Sequence, residues 1–157
     1  MLNLFRKNIQ VNNVHEVYYD GNEYRYTENF FNRNTQAKMK ILVCGSRTYN
    51  NCNPKLQKVL DSISVTEGDT IISGGARGAD HYAEEYAKVR KCHLKVFNAD
   101  WDKYGKRAGY IRNAEMIDQK PDIVIAFWDG ISKGTKNTIS LAKNKKIPIL
   151  IIWIKND

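Results

Sequence analysis

No run in this 157-residue chain approaches the ~18 consecutive apolar residues of a membrane-crossing helix, which argues against an integral membrane protein. The N-terminal MLNLFRKNIQ lacks the apolar centre of a secretory signal, so a soluble, cytoplasmic protein is expected. Cysteine is scarce: Cys44, Cys52 and Cys92 are odd in number, with no CxxC and no paired histidines. Neither a disulfide framework nor a zinc site follows from that pattern, and reduced thiols inside a cell are the default. His15, His81 and His93 are dispersed, and no metal is expected. The phosphate-loop pattern GxxxxGK[ST] is absent too, which removes ATP hydrolysis at the usual magnesium site.

Charge, by contrast, is plentiful and uneven. The formal net charge is +8. Residues 1–38 hold five Lys/Arg against four Asp/Glu, and 39–157 hold twenty against thirteen, so +7 lies in the second part. An anionic ligand is the natural inference. Lysine-rich KNKK (143–146) either adds to that field or is a solvated helix end favoured by the helix dipole.

From residue 39 onward, short apolar runs alternate with helical spacing, the mark of βαβ units and a mainly parallel sheet. KILVCG (40–45), TIIS (70–73), HLKVF (93–97), DIVIAFW (122–128) and IPILIIWI (147–154) read as five strands. The last two are the most apolar and should be central, buried on both faces. Between them, Asn53 and Pro54 open a helix carrying Leu56, Val59, Leu60 and Ile63, and Ala79, Tyr82, Ala83, Tyr86 and Ala87 line a second. Further helices are expected over 109–119 and about 134–145. The fold class is α/β: a Rossmann-like three-layer domain over 39–157 with about five strands. Residues 1–38 form an N-terminal extension in which EVYYDGNEYRYT (16–27) places Asp20-Gly21 between tyrosine-rich segments, a β-hairpin signal. Such a hairpin would cover a sheet edge, form an oligomer contact or help close the site.

In an open parallel sheet the ligand crevice lies at the carboxyl ends of the strands. The unusual residues of this chain cluster there. Gly45, Ser46 and Arg47 follow the first strand; Gly74, Gly75, Ala76, Arg77 and Gly78 follow the second; Trp128, Asp129, Gly130, Ser132, Lys133, Gly134 and Thr135 follow the fourth. Glycines let backbone amides approach an anion, and the next helix dipole favours negative charge, so these loops suit phosphate. Arg77 offers a forked donor set, unless it is only a surface ion pair; Thr135 could equally be a helix cap. The crossover DWDKYGKRAGYIRNAEM (100–116) adds ring faces at Trp101 and Tyr104 and charge at Lys106, Arg107 and Arg112. Asp80, Glu115 and Asp129 are the carboxylates expected to face the crevice.

Four motifs in order, CGSR (44–47), SGGARGAD (73–80), DWDKYGKRAGYIRNAEM (100–116) and FWDGISKGT (127–135), closely resemble the YspA-type branch of the SLOG superfamily of Rossmann-like nucleotide-binding domains. The resemblance covers 39–157 and not the first 38 residues. It implies a nucleotide-derived small-molecule ligand, of ADP-ribose, NAD-derived or cyclic nucleotide type, sensed or sequestered by a stand-alone domain, and it implies a homo-oligomer. Arg112-Asn113-Ala114-Glu115-Met116 is similar to an arginine motif of the cytokinin-activating Lonely Guy phosphoribohydrolases, and Arg112, Asn113 and Glu115 are candidate ligand-binding residues. Those enzymes cleave an N-glycosidic bond with the glutamate of PGGxGTxxE. Here Gly134-Thr135 are followed by Lys136, Asn137 and Thr138, which bring no carboxylate, so hydrolysis would need Glu115 or Asp129 instead. The motifs GSR and SGGARGAD are also similar to those of the DNA-processing protein A family, which implies single-stranded nucleic acid as a further candidate partner. The acidic residues Asp80, Asp100, Asp102 and Asp129 around the crevice favour a small nucleotide over a long polyanion.

Overall fold

A computed structural model describes residues 14–17, 37–51 and 56–154 of the chain. The strands among them are Val14–Val17 (β1), Lys40–Gly45 (β2), Thr70–Ser73 (β3), His93–Val96 (β4), Ile123–Trp128 (β5) and Ile149–Trp153 (β6). They form one all-parallel sheet in the order β1-β6-β5-β2-β3-β4. The helices are Leu56–Ser62 (α1), Ala79–Val89 (α2), the single turn Trp101–Tyr104 (α3), Ala108–Asp118 (α4) and Lys133–Asn144 (α5), with a 3-10 turn at Gly105–Arg107 between α3 and α4.

Successive side chains of a strand point to opposite faces, and here both faces are covered. Ile41 and Val43 of β2, with Ile123, Ile125 and Phe127 of β5, pack against Leu56, Val59 and Leu60 of α1 and Ala79 and Ala83 of α2. Leu42 and Cys44, with Val124 and Ala126, pack against Met116 and Ile117 of α4 and Ile139 and Ala142 of α5. The result is the Rossmann-like three-layer fold. The helices that follow β2 and β3 lie on one face, and those that follow β4 and β5 lie on the other. The connection direction therefore reverses between β2 and β5, and the loops at the carboxyl ends there part to leave a crevice.

The two most apolar runs are indeed interior strands, β5 lying between β6 and β2, and β6 between β1 and β5. What covers the β6 edge is β1, in parallel register Val14↔Ile149 to Val17↔Ile152. The hairpin expected around Asp20-Gly21 and the helix opening expected at Asn53 and Pro54 lie outside the described residues. Lys143, Lys145 and Lys146 are exposed at the C-terminal end of α5, away from the crevice, so KNKK is a solvated helix end. No helix among the described residues is long and apolar enough to cross a membrane.

Candidate functional site

The β3–α2 loop is shaped by its glycines. Gly75 and Gly78 adopt φ of 71° and 74°, which an L side chain rarely takes. A Cβ on Gly78 would also run into the Ser46 carbonyl, and one on Gly74 would stand 2.8 Å from Arg112 Nη1. All three glycines thus have a backbone or packing reason to be there. Two of the loop amides are satisfied internally: Gly75 N donates to Ser73 Oγ at 3.2 Å and Ala76 N to Asp80 Oδ2 at 3.1 Å. Asp80 is only 6% exposed, and burial pushes its carboxyl up to about 6 against the pull of the Ala76 amide and the Arg112 guanidinium. With these two amides engaged, this part of the loop wraps its own carboxylate.

The cations supply what the amides do not. An open cleft of about 410 Å³ is lined by Gly74, Gly75, Ala76 and Ala99, by Asn98 and Trp101, and by Arg47, Arg77 and Arg112. No acidic side chain is in that lining. Arg47 and Arg77 are exposed and, among the described residues, neither forms an ion pair. Arg112 is held in place: Nη1 donates to the Gly74 carbonyl and Nε to Asn113 Oδ1 at 3.0 Å. Burial holds its guanidinium below the usual arginine value, Arg47 pushes the same way and Asp80 opposes both. Two guanidinium groups that repel across a cleft are stabilised by an anion between them. Trp101, 50% exposed, puts an indole face at the rim.

The β5–α5 loop is built differently. Asp129 Oδ1 accepts from Ile131 N at 2.8 Å and Ser132 N at 2.9 Å, and Ser132, not Thr135, is the helix cap, its Oγ accepting from Thr135 N at 3.4 Å. Trp128 does not reach the cleft: its indole donates to the Ser132 carbonyl at 3.1 Å and its ring lies 5.1 Å from that of Trp153. Gly130 needs its positive φ of 82°. Gly134 is the exception, since it sits in the first turn of α5 and a Cβ there would meet nothing within 4 Å.

Between the two loops a small hollow of about 50 Å³ is bordered by Cys44, Gly45, Asp80, Arg112, Ser132, Gly134, Thr135 and Thr138, among others. Cys44, at its floor, has a thiol pushed up by burial and by Asp80. Asn113 is buried and structural: Nδ2 donates to the Gly134 carbonyl at 3.2 Å and to Asn137 Oδ1 at 3.1 Å, tying α4 and the Arg112 fork to the start of α5. Ser46 plays a similar part, its amide donating to Phe127 O at 2.9 Å and its Oγ accepting from Asp129 N at 3.3 Å. Gly45 has no room for a side chain, with Phe127 O at 2.5 Å from a Cβ position. Glu115 is exposed on α4, and Lys133 is exposed at the start of α5; neither borders these hollows. No group of three or more His, Cys, Asp or Glu among the described residues is arranged for a metal.

Comparison with known proteins fits this geometry. Residues 39–104 match the model of the YspA, cpYpsA-related SLOG family. The Gene 61 protein of Mycobacterium phage D29 is 32% identical over 117 residues, covering 71% of this chain and 94% of the phage protein. The chain belongs to the SLOG family. For a YspA-type SLOG domain a nucleotide-related ligand is consistent with the fold and with the arginine-lined cleft. Sequence reasoning overlooked Asn98, whose side chain occupies the space beside Gly75, although its place just past β4 marks it as a crevice residue. It also read Tyr82 only as a helix-packing position, whereas Tyr82, Tyr49, Asn50 and His81 border a second open hollow of about 480 Å³.

Proposed function

We propose that this SLOG domain binds a nucleotide-derived small molecule, of ADP-ribose, NAD-derived or cyclic nucleotide type, and acts as a sensor or sequestering protein. One observation carries the reading: Arg47, Arg77 and Arg112 come from three separate elements to one cleft that has no acidic lining and a half-exposed indole at its rim. In this reading the phosphate lies among the guanidinium groups and the base rests on Trp101. The division into a 1–38 extension and a 39–157 domain goes with it, since the family match begins at residue 39 and Val14–Val17 docks on the domain's sheet edge.

Three features support binding over turnover. The Thr138 hydroxyl donates to the Gly134 carbonyl at 3.3 Å and cannot act as a base; Asp129 is engaged by loop amides; Glu115 faces solvent outside the hollows. The test is titration calorimetry against mononucleotides, ADP-ribose, NAD and cyclic nucleotides. At least one ligand should bind, and Trp101→Ala should weaken it by roughly 5- to 100-fold, the range of one aromatic stack. Absence of heat with every compound at high protein concentration would overturn the reading.

A further inference from the structure

We infer that the ligand is two-ended: two ring-bearing groups joined through a phosphate bridge, as in a dinucleoside pyrophosphate, and not a mononucleotide. This rests on the nucleotide reading above and narrows it. The cleft beside Trp101 and the hollow beside Tyr82 share four lining residues, Arg47, Gly75, Ala76 and Arg77. They are two adjoining lobes whose shared lining carries two arginines. Each lobe, at about 410 and about 480 Å³, lies within the ordinary range of small-molecule sites of roughly 300–1,000 Å³. A mononucleotide needs one of them.

The second lobe is equipped as the first is. Its wall is aromatic: the partly buried Tyr82 ring meets the buried Tyr49 edge-on at 5.8 Å and lies 5.5 Å from the exposed His81 imidazole, which is itself held by Glu85 at 3.1 Å. Tyr49 is fixed from behind by packing on Phe127 at 5.0 Å, so the wall is backed by the core. No Asp or Glu lines either lobe. A ligand with a ring at each end and negative charge between them places its phosphates on Arg47 and Arg77 and a ring in each lobe. A one-ended nucleotide leaves the Tyr82 and His81 rings uncovered.

The experiment is a ladder of ligands on the full chain, read by calorimetry: AMP, ADP, diadenosine diphosphate and a single-stranded decanucleotide. Diadenosine diphosphate should bind roughly 10-fold or more tightly than ADP, the gain from one further stacked ring. Tyr82→Leu, which keeps bulk against Tyr49, and His81→Ala should remove most of that gain and leave ADP affinity within about twofold. The comparison of ligands on the unaltered protein stands even if Tyr82→Leu fails to fold. Equal affinity for ADP and diadenosine diphosphate would overturn the two-lobed site while the nucleotide reading survives. No binding of any of them would overturn the two-lobed site, and the nucleotide reading falls with it only if ADP-ribose, NAD and cyclic nucleotides also give no heat. Tightest binding of the decanucleotide, falling steeply with salt, would replace a free dinucleotide by nucleic acid and overturn this inference.

Discussion

The loops after β3 and β5 are alike in composition, each with glycines, a carboxylate and a cation in the loop or the first turn of the helix that follows, yet the structure uses them in different ways. In the first, Gly75 and Gly78 are demanded by positive φ, the carboxylate of Asp80 gathers a loop amide, and the arginine is left projecting into an open cleft. In the second, Asp129 gathers two amides, Trp128 packs at a tilt on Trp153, and Gly134 alone has neither a backbone nor a packing reason to lack a side chain. Glycine content therefore says little about ligand approach. What separates a structural glycine from one that leaves room for a guest is whether a Cβ would meet protein.

The sharpest way to break this contrast is at Gly78. Gly78→Ala forces an L residue into φ 74° with its Cβ against the Ser46 backbone, which cannot move without disturbing the clasp to Phe127. Strain and overpacking together should cost about 3 kcal/mol or more, a fall of roughly 6–12 °C in the thermal unfolding midpoint. An unchanged midpoint would mean that the loop is free to reshape and that its glycines serve the ligand after all.

Asp80 gives the next largest effect, and its sign is fixed by the direction of its shift. The folded carboxyl titrates at about 6 against an ordinary 3.8, so between those values the folded state binds the proton more strongly than the unfolded one. The stability this confers is complete below about pH 4 and is lost as pH rises through 6. Relative to Asp80→Asn, which cannot titrate, the native protein should lose about 3 kcal/mol across that window, the free energy of a shift of this size. Denaturant melts of both proteins at pH 4 and pH 7 measure the difference directly; parallel pH curves would show that Asp80 is not buried as described.

Arg112 tests the cationic side of the same loop. Arg112→Ala removes a guanidinium already oriented by Gly74 and Asn113, and ligand affinity should fall about 10- to 100-fold, the worth of a charge-assisted hydrogen bond. Arg112→Lys keeps the charge and loses the fork, so it should recover only part of the loss. Full recovery by lysine would reduce the site to nonspecific attraction.

The architecture was legible because its signals are local. TIIS and KILVCG coincide with β3 and β2, and the helix expected over 109–119 begins one residue earlier, at Ala108. The crevice was legible for the same reason, since strand-end loops announce themselves by glycine and charge. Partnerships across the chain were not. Nothing near Trp128 reveals that Trp153 will pack on it, and nothing near Asn113 reveals that it will tie to Gly134 and Asn137. Val14–Val17 pairs with a strand more than a hundred residues away, while the nearby Asp20-Gly21 offers a stronger local signal of another kind.

The smallest effect on the empty protein, and the most telling one for the second loop, belongs to Gly134. It is helical and its missing side chain faces open space, so Gly134→Ala should leave stability unchanged or raise it by up to about 1 kcal/mol, the helix preference of alanine. Its carbonyl still accepts from Asn113 and Thr138, so the α4–α5 tie is preserved. If a bound molecule reaches over the small hollow to the start of α5, the added methyl meets the ligand and affinity falls while the melting temperature does not. Equal affinity in both proteins would confine the ligand to the arginine side of the crevice, leaving the β5–α5 loop as scaffold alone.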